Sequence, residues 1–241
     1  MRAVFLADAH LRQPTDANYQ ALLSFLAEQE GRTDLLALLG DICEFLVGCP
    51  DRLYPAHIPL FQALERLQRS GTRLVYVEGN HDFHLATCFH SRFPCQVLPD
   101  GGALELDGQR LLLVHGDLAN PADRGYRLLR AVLRSAPLRL LIRALPPAWT
   151  WRIAERCSGA SRRTRNDKRQ RWPAHEILVS YARARLAEGY QAVITGHFHE
   201  PFRQRLGDGE LIALGDWISQ YSYAVWEGQG FRLESYTPPA D

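Results

Sequence analysis

Five times along this chain an apolar run of strand length ends directly on a short cluster of carboxylates, amides or imidazoles. Residues 3–7 lead into Asp8-Ala9-His10, 35–39 into Gly40-Asp41, and 73–77 into Gly79-Asn80-His81-Asp82. Residues 111–114 lead into His115-Gly116-Asp117, and 192–195 into Gly196-His197-Phe198-His199. Short uninterrupted apolar runs suit strands covered on both faces, and parallel or mixed sheets present functional groups where such strands end. The repetition therefore predicts an α/β protein with one active edge. Between the runs, 18–30 reads as a helix with Asp16 as cap and Gly31 as stop, and 58–70 as a helix stopped by Gly71. Segments 210–214, 222–226 and 231–236 alternate or run apolar between glycine turns, and are expected to be antiparallel strands closing a second sheet.

The donor types define the chemistry. Asp8, His10, Asp41, Asn80, His115, His197 and His199 mix hard oxygens with imidazoles, a set that suits Mn, Fe, Zn or Mg, and no cysteine belongs to it. Seven donors are too many for one four-coordinate ion and about right for two ions sharing a bridging carboxylate. Paired ions ~3.5–4 Å apart ionise water and neutralise a phosphoryl group under in-line attack, so the expected substrate is a phosphate ester or anhydride. Single histidines are more often structural than ligating, and His57, His90 and His175 are read that way, with His84 left open.

At 241 residues, 46% hydrophobic and 23% charged, the composition fits one globular domain, 1–241, with an insertion. Asp8 and His10 interrupt the N-terminal apolar run before a secretory or spanning segment could form, so a cytoplasmic location is expected. Five cysteines without a CxxC pair are expected to be reduced thiols. The net charge of +1 conceals an asymmetry: 14 of the 28 basic residues fall within 124–171, against only Glu155 and Asp167. In that segment Leu128, Leu129, Val132 and Leu133 occupy one side of a helical projection and Arg127, Arg130 and Arg134 the other. Leucine, arginine, and the tryptophans Trp149 and Trp151 that follow suit a membrane-surface helix. The alternative is that the leucines pack on the main domain and the arginines are solvated.

The motif order D-x-H, GD, GNHD, H and GHxH, spanning Asp8 to His199, resembles the calcineurin-like metallophosphoesterase superfamily. The resemblance implies two packed mixed β-sheets flanked by helices, an αββα sandwich, with the basic helical insertion 121–172 as a lid. It implies Asp8, His10, Asp41 and His199 on one ion and Asp41, Asn80, His115 and His197 on the other, with Asp41 as bridge. By the same resemblance His81 stands beside the scissile phosphate as a catalytic residue, and Asp82 orients it.

Within the superfamily, His115-Gly116-Asp117 followed by Asp123 and Tyr126, the insertion, and Leu214-Gly215-Asp216-Trp217 resemble the UDP-2,3-diacylglucosamine diphosphatase family of lipid A biosynthesis. That resemblance implies two divalent ions, foremost Mn, a UDP-linked acylated sugar as substrate, and peripheral attachment to the inner-membrane surface. The best-known branch has arginine where this chain keeps His81. Arg162, Asn166 and Lys168 are candidates for binding the diphosphate or sugar. Rival readings are a phosphodiesterase or nucleotide hydrolase on the same core, or a scaffold that has lost its metals. Nucleic acid is not expected as a partner, since interleaved Leu and Trp fit lipid better than a nucleic-acid groove.

Overall fold

The computed structural model describes residues 1–48, 53–144, 173–228 and 230–239. The first sheet is built from β1 (Arg2–Leu6) and β2 (Leu35–Leu38). A two-residue strand, β3 (Leu46–Val47), precedes β4 (Arg73–Val77), and another, β5 (Asp82–Phe83), precedes β6 (Gln96–Leu98). The second sheet starts with β7 (Gly102–Leu106), β8 (Gln109–Val114) and β9 (Ala192–Thr195), and adds β10 (Phe202–Leu206) and β11 (Gly209–Ala213). The chain then returns to the first sheet as β12 (Ser222–Glu227) and β13 (Phe231–Ser235).

The first sheet runs β13-β12-β1-β2-β4-β6, with β1, β2, β4 and β6 parallel. The second runs β10-β11-β9-β8-β7, with β11, β9 and β8 parallel. The expected closing strands are therefore placed differently from the sequence reading. Strands β12 and β13 extend the first sheet antiparallel to β1, and β11 lies parallel to β9. The cause is β10, whose Arg203-Gln204-Arg205 hides its strand pattern. Its hairpin with β11 turns the chain back alongside β9.

Alternation within the strands makes the layers. Ala3, Phe5, Leu35, Ala37, Val75 and Val77 meet Leu111, Leu113, Ile194 and Ile212 between the sheets. Val4, Leu6, Leu36 and Leu38 face outward under α1 (Ala17–Gln29), α2 (Ile58–Arg69) and α3 (Ala86–His90). On the far side, Leu112, Val193 and Leu211 are covered by Leu178 and Ala182 of a helix at Ala174–Leu186 that the sequence reading missed. These are the four layers of an αββα sandwich. Phe5, fully buried and edge-on to Phe231, illustrates the energetics: truncation to alanine would cost about 3–5 kcal/mol.

Gly31 and Gly71 end α1 and α2 with φ of +69° and +101°, as read from the sequence. Asp16 stands at the N-cap, but its carboxylate accepts from the Gln13 amide behind it rather than from the helix. The insertion begins with α4 (Arg124–Leu133), capped by Asp123, and α5 (Ala136–Ala144). The helix Ala174–Leu186 is α6. No described helix is long and apolar enough to cross a membrane. Cys43 and Cys95 are free, but Cys88 is disulfide-bonded, which corrects the expectation of reduced thiols throughout.

Candidate metal centre

All seven expected donors stand at the carboxyl ends of β1, β2, β4, β8 and β9, which brings together residues up to 191 positions apart in sequence. Five of them, Asp8, His10, Asp41, His197 and His199, have φ between +47° and +73°. Non-glycine residues avoid that region, at a cost of about 1–3 kcal/mol each, and tolerate it where surrounding packing enforces it. Here glycines provide the room. A side chain on Gly79 would lie 2.2 Å from Asp41 Oδ1, and one on Gly40 would meet His115 Nδ1 at 2.7 Å.

The expected donors fall in two groups, Asp8/His10/His199 and Asp41/His115/His197, and a third group, His10/Glu44/His81, shares His10 with the first. In the first, Asp8 Oδ1 lies 3.4 Å from His199 Nε2 and 3.9 Å from His10 Nε2. In the second, His115 Nε2 lies 3.5 Å from Asp41 Oδ2, 3.2 Å from His197 Nδ1 and 3.1 Å from Asn80 Oδ1. Asp41 Oδ2 is also 3.7 Å from His10 Nε2, so this carboxylate stands between the groups.

The hydrogen bonds decide what belongs there. His115 Nδ1 must donate to the Leu39 carbonyl, 2.8 Å away, so a neutral ring turns its Nε2 lone pair toward two more oxygens and another ring nitrogen. A metal ion, or in its absence a proton on Nε2, satisfies that arrangement. Asp8 Oδ1 and His10 Nε2 are likewise buried without a hydrogen-bond partner among the described residues. Donor atoms 3.1–3.9 Å apart fit ligands each ~2.0–2.2 Å from a shared ion, so the residues fit divalent metals.

Protonation tells the same story. Burial opposes charge on His115, yet the adjacent Asp41 carboxylate raises it to about 10, so a proton holds the cation's place in the metal-free protein. His197, half-buried, is pushed down to about 3 by desolvation and by the neighbouring His115, and keeps its lone pair. Burial favours a neutral Asp41, but His115 and His81 hold it well below the usual carboxylate range. Asp8 moves the other way, raised by burial against the pull of His199.

Several supporting groups carried no assigned role in the sequence reading. Glu44 Oε2 lies 3.3 Å from His10 Nδ1, and Asp216 Oδ2 lies 3.4 Å from His199 Nδ1. These carboxylates fix ring orientation and tautomer so that Nε2 points inward. Asp216 is itself held by the amides of Ile218 and Ser219, which with His199 keep it below the usual range despite burial. The signals were present: an acid three residues beyond Asp41, and Gly215-Asp216 following the last histidines.

His81 sits at the rim, its Nε2 4.0 Å from Asp41 Oδ2 and its ring edge-on to His10. Its Nδ1 is held by the Glu44 carbonyl at 2.9 Å, not by Asp82. Asp82 instead accepts from the amides of Asp41, Ile42 and Gly79 and from the Tyr76 hydroxyl, locking two metal loops together. Burial and the Asp41 charge raise Asp82 to about 7. The expected Asp82–His81 contact is thus replaced by a structural one, because three amides reach that carboxylate first. Of the remaining histidines, His57 is buried and pushed down to about 4 by desolvation, and His175 is exposed against Gln204. His84, half-buried, stands edge-on to Phe83, and the His90 side chain lies outside the described residues. So do Arg162, Asn166, Lys168, Trp149 and Trp151.

The insertion reverses the bland expectation. Arg130 and Arg134 are only 12% and 13% exposed and dock on the body, while Leu128, Leu129 and Val132 are 68%, 54% and 53% exposed. Leu140 and Leu141 of α5 are exposed as well.

An αββα sandwich with paired metal-ligand groups at its strand ends defines a metallophosphoesterase. The sequence profile of the calcineurin-like phosphoesterases matches residues 1–201, and the chain belongs to that family. Among curated relatives, the UDP-2,3-diacylglucosamine hydrolase of Pseudomonas savastanoi pv. phaseolicola is 31% identical over 97% of this chain and 95% of its own. That of Aeromonas salmonicida is 33% identical over 100% and 95%. Among solved structures, an archaeal phosphodiesterase shares the fold at a TM-score of 0.50 and 12% identity, covering 97% of this chain and 99% of its own.

Proposed function

We propose that this protein hydrolyses the pyrophosphate bond of UDP-2,3-diacylglucosamine, water adding to give UMP and 2,3-diacylglucosamine 1-phosphate. The observation that carries the reading is the convergence of Asp41 Oδ2, Asn80 Oδ1 and His197 Nδ1 on His115 Nε2, in a chain similar over its full length to hydrolases of that name. Asp8, His10, Asp41 and His199 hold one divalent ion, and Asp41, Asn80, His115 and His197 the other, with Mn the leading candidate. Ions bound there supply Lewis-acid neutralisation of the phosphoryl oxygens and an ionised water. His81 faces the cleft and is raised above an ordinary imidazole: burial lowers it, but the charge of Asp41 and the Glu44 carbonyl outweigh that. A proton on its Nε2 would stabilise phosphoryl charge or protonate the leaving group.

The exposed leucines of α4 and α5 suit acyl chains and the surface of an anionic membrane, and the surrounding arginines suit its headgroups. This favours a lipid-linked substrate over a soluble nucleotide and peripheral attachment at the inner membrane. Arg162, Asn166 and Lys168 are assigned to the diphosphate or sugar.

The test is UMP release from UDP-2,3-diacylglucosamine in detergent micelles with added Mn, comparing wild type with Asp41→Asn. Release by the wild type, abolished in the variant together with loss of bound metal, supports both substrate and site. A well-metallated wild type that releases no UMP but cleaves a generic phosphodiester would reject the substrate.

A further inference from the structure

The insertion helix α4 does more than present an apolar face. Arg134 lies 56 residues beyond Glu78, yet its Nη1 donates to Glu78 Oε2 at 2.8 Å and its Nη2 to the Gly79 carbonyl at 2.9 Å. Nη1 also reaches the Pro99 carbonyl at 2.7 Å, and the guanidinium lies over the Phe83 ring. Glu78 is 2% exposed, and its other oxygen accepts from the Leu85 amide at 2.6 Å. This one carboxylate therefore joins the two ends of loop 78–85, which carries Asn80 and His81. One turn earlier on α4, Arg130 Nε donates at 2.7 Å to Asp117, two residues beyond His115. A single helix thus grips both loops whose side chains meet at Asn80 Oδ1 and His115 Nε2.

A buried carboxylate without its partner is strongly unfavourable, so removing Arg134 leaves the loop to rearrange until Glu78 finds water or a proton. The loop has little tolerance for that, because Gly79 packs directly on Asp41. We propose that Arg134 is a positioning residue: through Glu78 and the Gly79 carbonyl it holds Asn80 in place for the second metal. The insertion is then a clamp on the metal centre. The inference rests on the two-metal reading above.

The experiment is calorimetric titration of Mn²⁺ alone into metal-free wild type, Arg134→Ala, Arg134→Lys and the exposed control Arg139→Ala. Turnover of a small soluble phosphodiester is measured in parallel. The expected result is two ions in the wild type and the control. In Arg134→Ala one ion binds roughly 10–100-fold more weakly and the other is unchanged, the scale on which groups supporting metal ligands act. In the same variant kcat falls while KM for the small diester holds, and Arg134→Lys recovers part of both. Should Arg134→Ala fail to fold, the double variant Glu78→Gln with Arg134→Met removes the buried charge pair as a unit and is expected to show the same selective loss. Two unchanged affinities with unchanged kcat in a folded variant would overturn the clamp. So would equal weakening of both ions alongside a general fall in thermal stability. A wild type binding a single ion removes the two-metal reading, and the clamp with it.

Discussion

At the strand ends, Asp8, Asp41, His115 and His199 are buried, and three of these four are held at positive φ. On α4 and α5 the relation is inverted: the apolar side chains face outward and two arginines turn inward. The core places charge where surrounding amides and glycines fix it. The insertion places hydrophobic surface where nothing in the described chain covers it. Preorganised polar groups inside and uncovered apolar groups outside suit the proposed division between bond-breaking and presentation of a lipid substrate.

Changes at the strand ends are expected to have the largest effects. His81→Ala should lower kcat by roughly 10²–10⁴, the range for a lost proton donor, with metal content unchanged by elemental analysis. Loss of metal with activity would move His81 into the ligand set. Asp216→Asn should weaken metal binding by about 10–100-fold, read by competition with a chelator, because it frees the His199 ring. Metal uptake must also expel the proton that His115 holds up to about 10 in the free protein. Affinity should therefore rise with pH, by roughly tenfold per unit for each proton displaced, and uptake should release protons to the buffer. A flat pH response would place the cation elsewhere.

On the exposed apolar face of the insertion the effects should be smaller and confined to lipid. Leu128→Ser with Leu129→Ser should leave folding stability within ~0.5 kcal/mol, since neither side chain packs on the core. Turnover of a soluble diester should be unchanged and binding to anionic vesicles weakened several-fold. Equal losses on soluble and lipid-presented substrates would erase the division.

The active edge was legible in the sequence because apolar runs and their terminal donors are local patterns. The parts that escaped depend on distant partners. Glu44 and Asp216 acquire meaning only when β2 and the segment beyond β11 come beside His10 and His199. Asp82 was read toward its neighbour His81, but amides from the β2 loop, about 40 residues away, claim its carboxylate. The amphipathic projection of α4 was correct, but amphipathicity does not say which face docks. Buried acids Glu78 and Asp117 drew the arginines inward. Polar alternation concealed β10, and with it the direction of β11.

The most direct measurement is kcat/KM of the Mn-loaded protein for UDP-2,3-diacylglucosamine against UDP-glucosamine, with products identified by mass spectrometry. The expected result is a preference for the acylated substrate by orders of magnitude, with UMP and 2,3-diacylglucosamine 1-phosphate formed in equal amounts. Equal efficiency on both substrates, or UDP and free sugar as products, would contradict it.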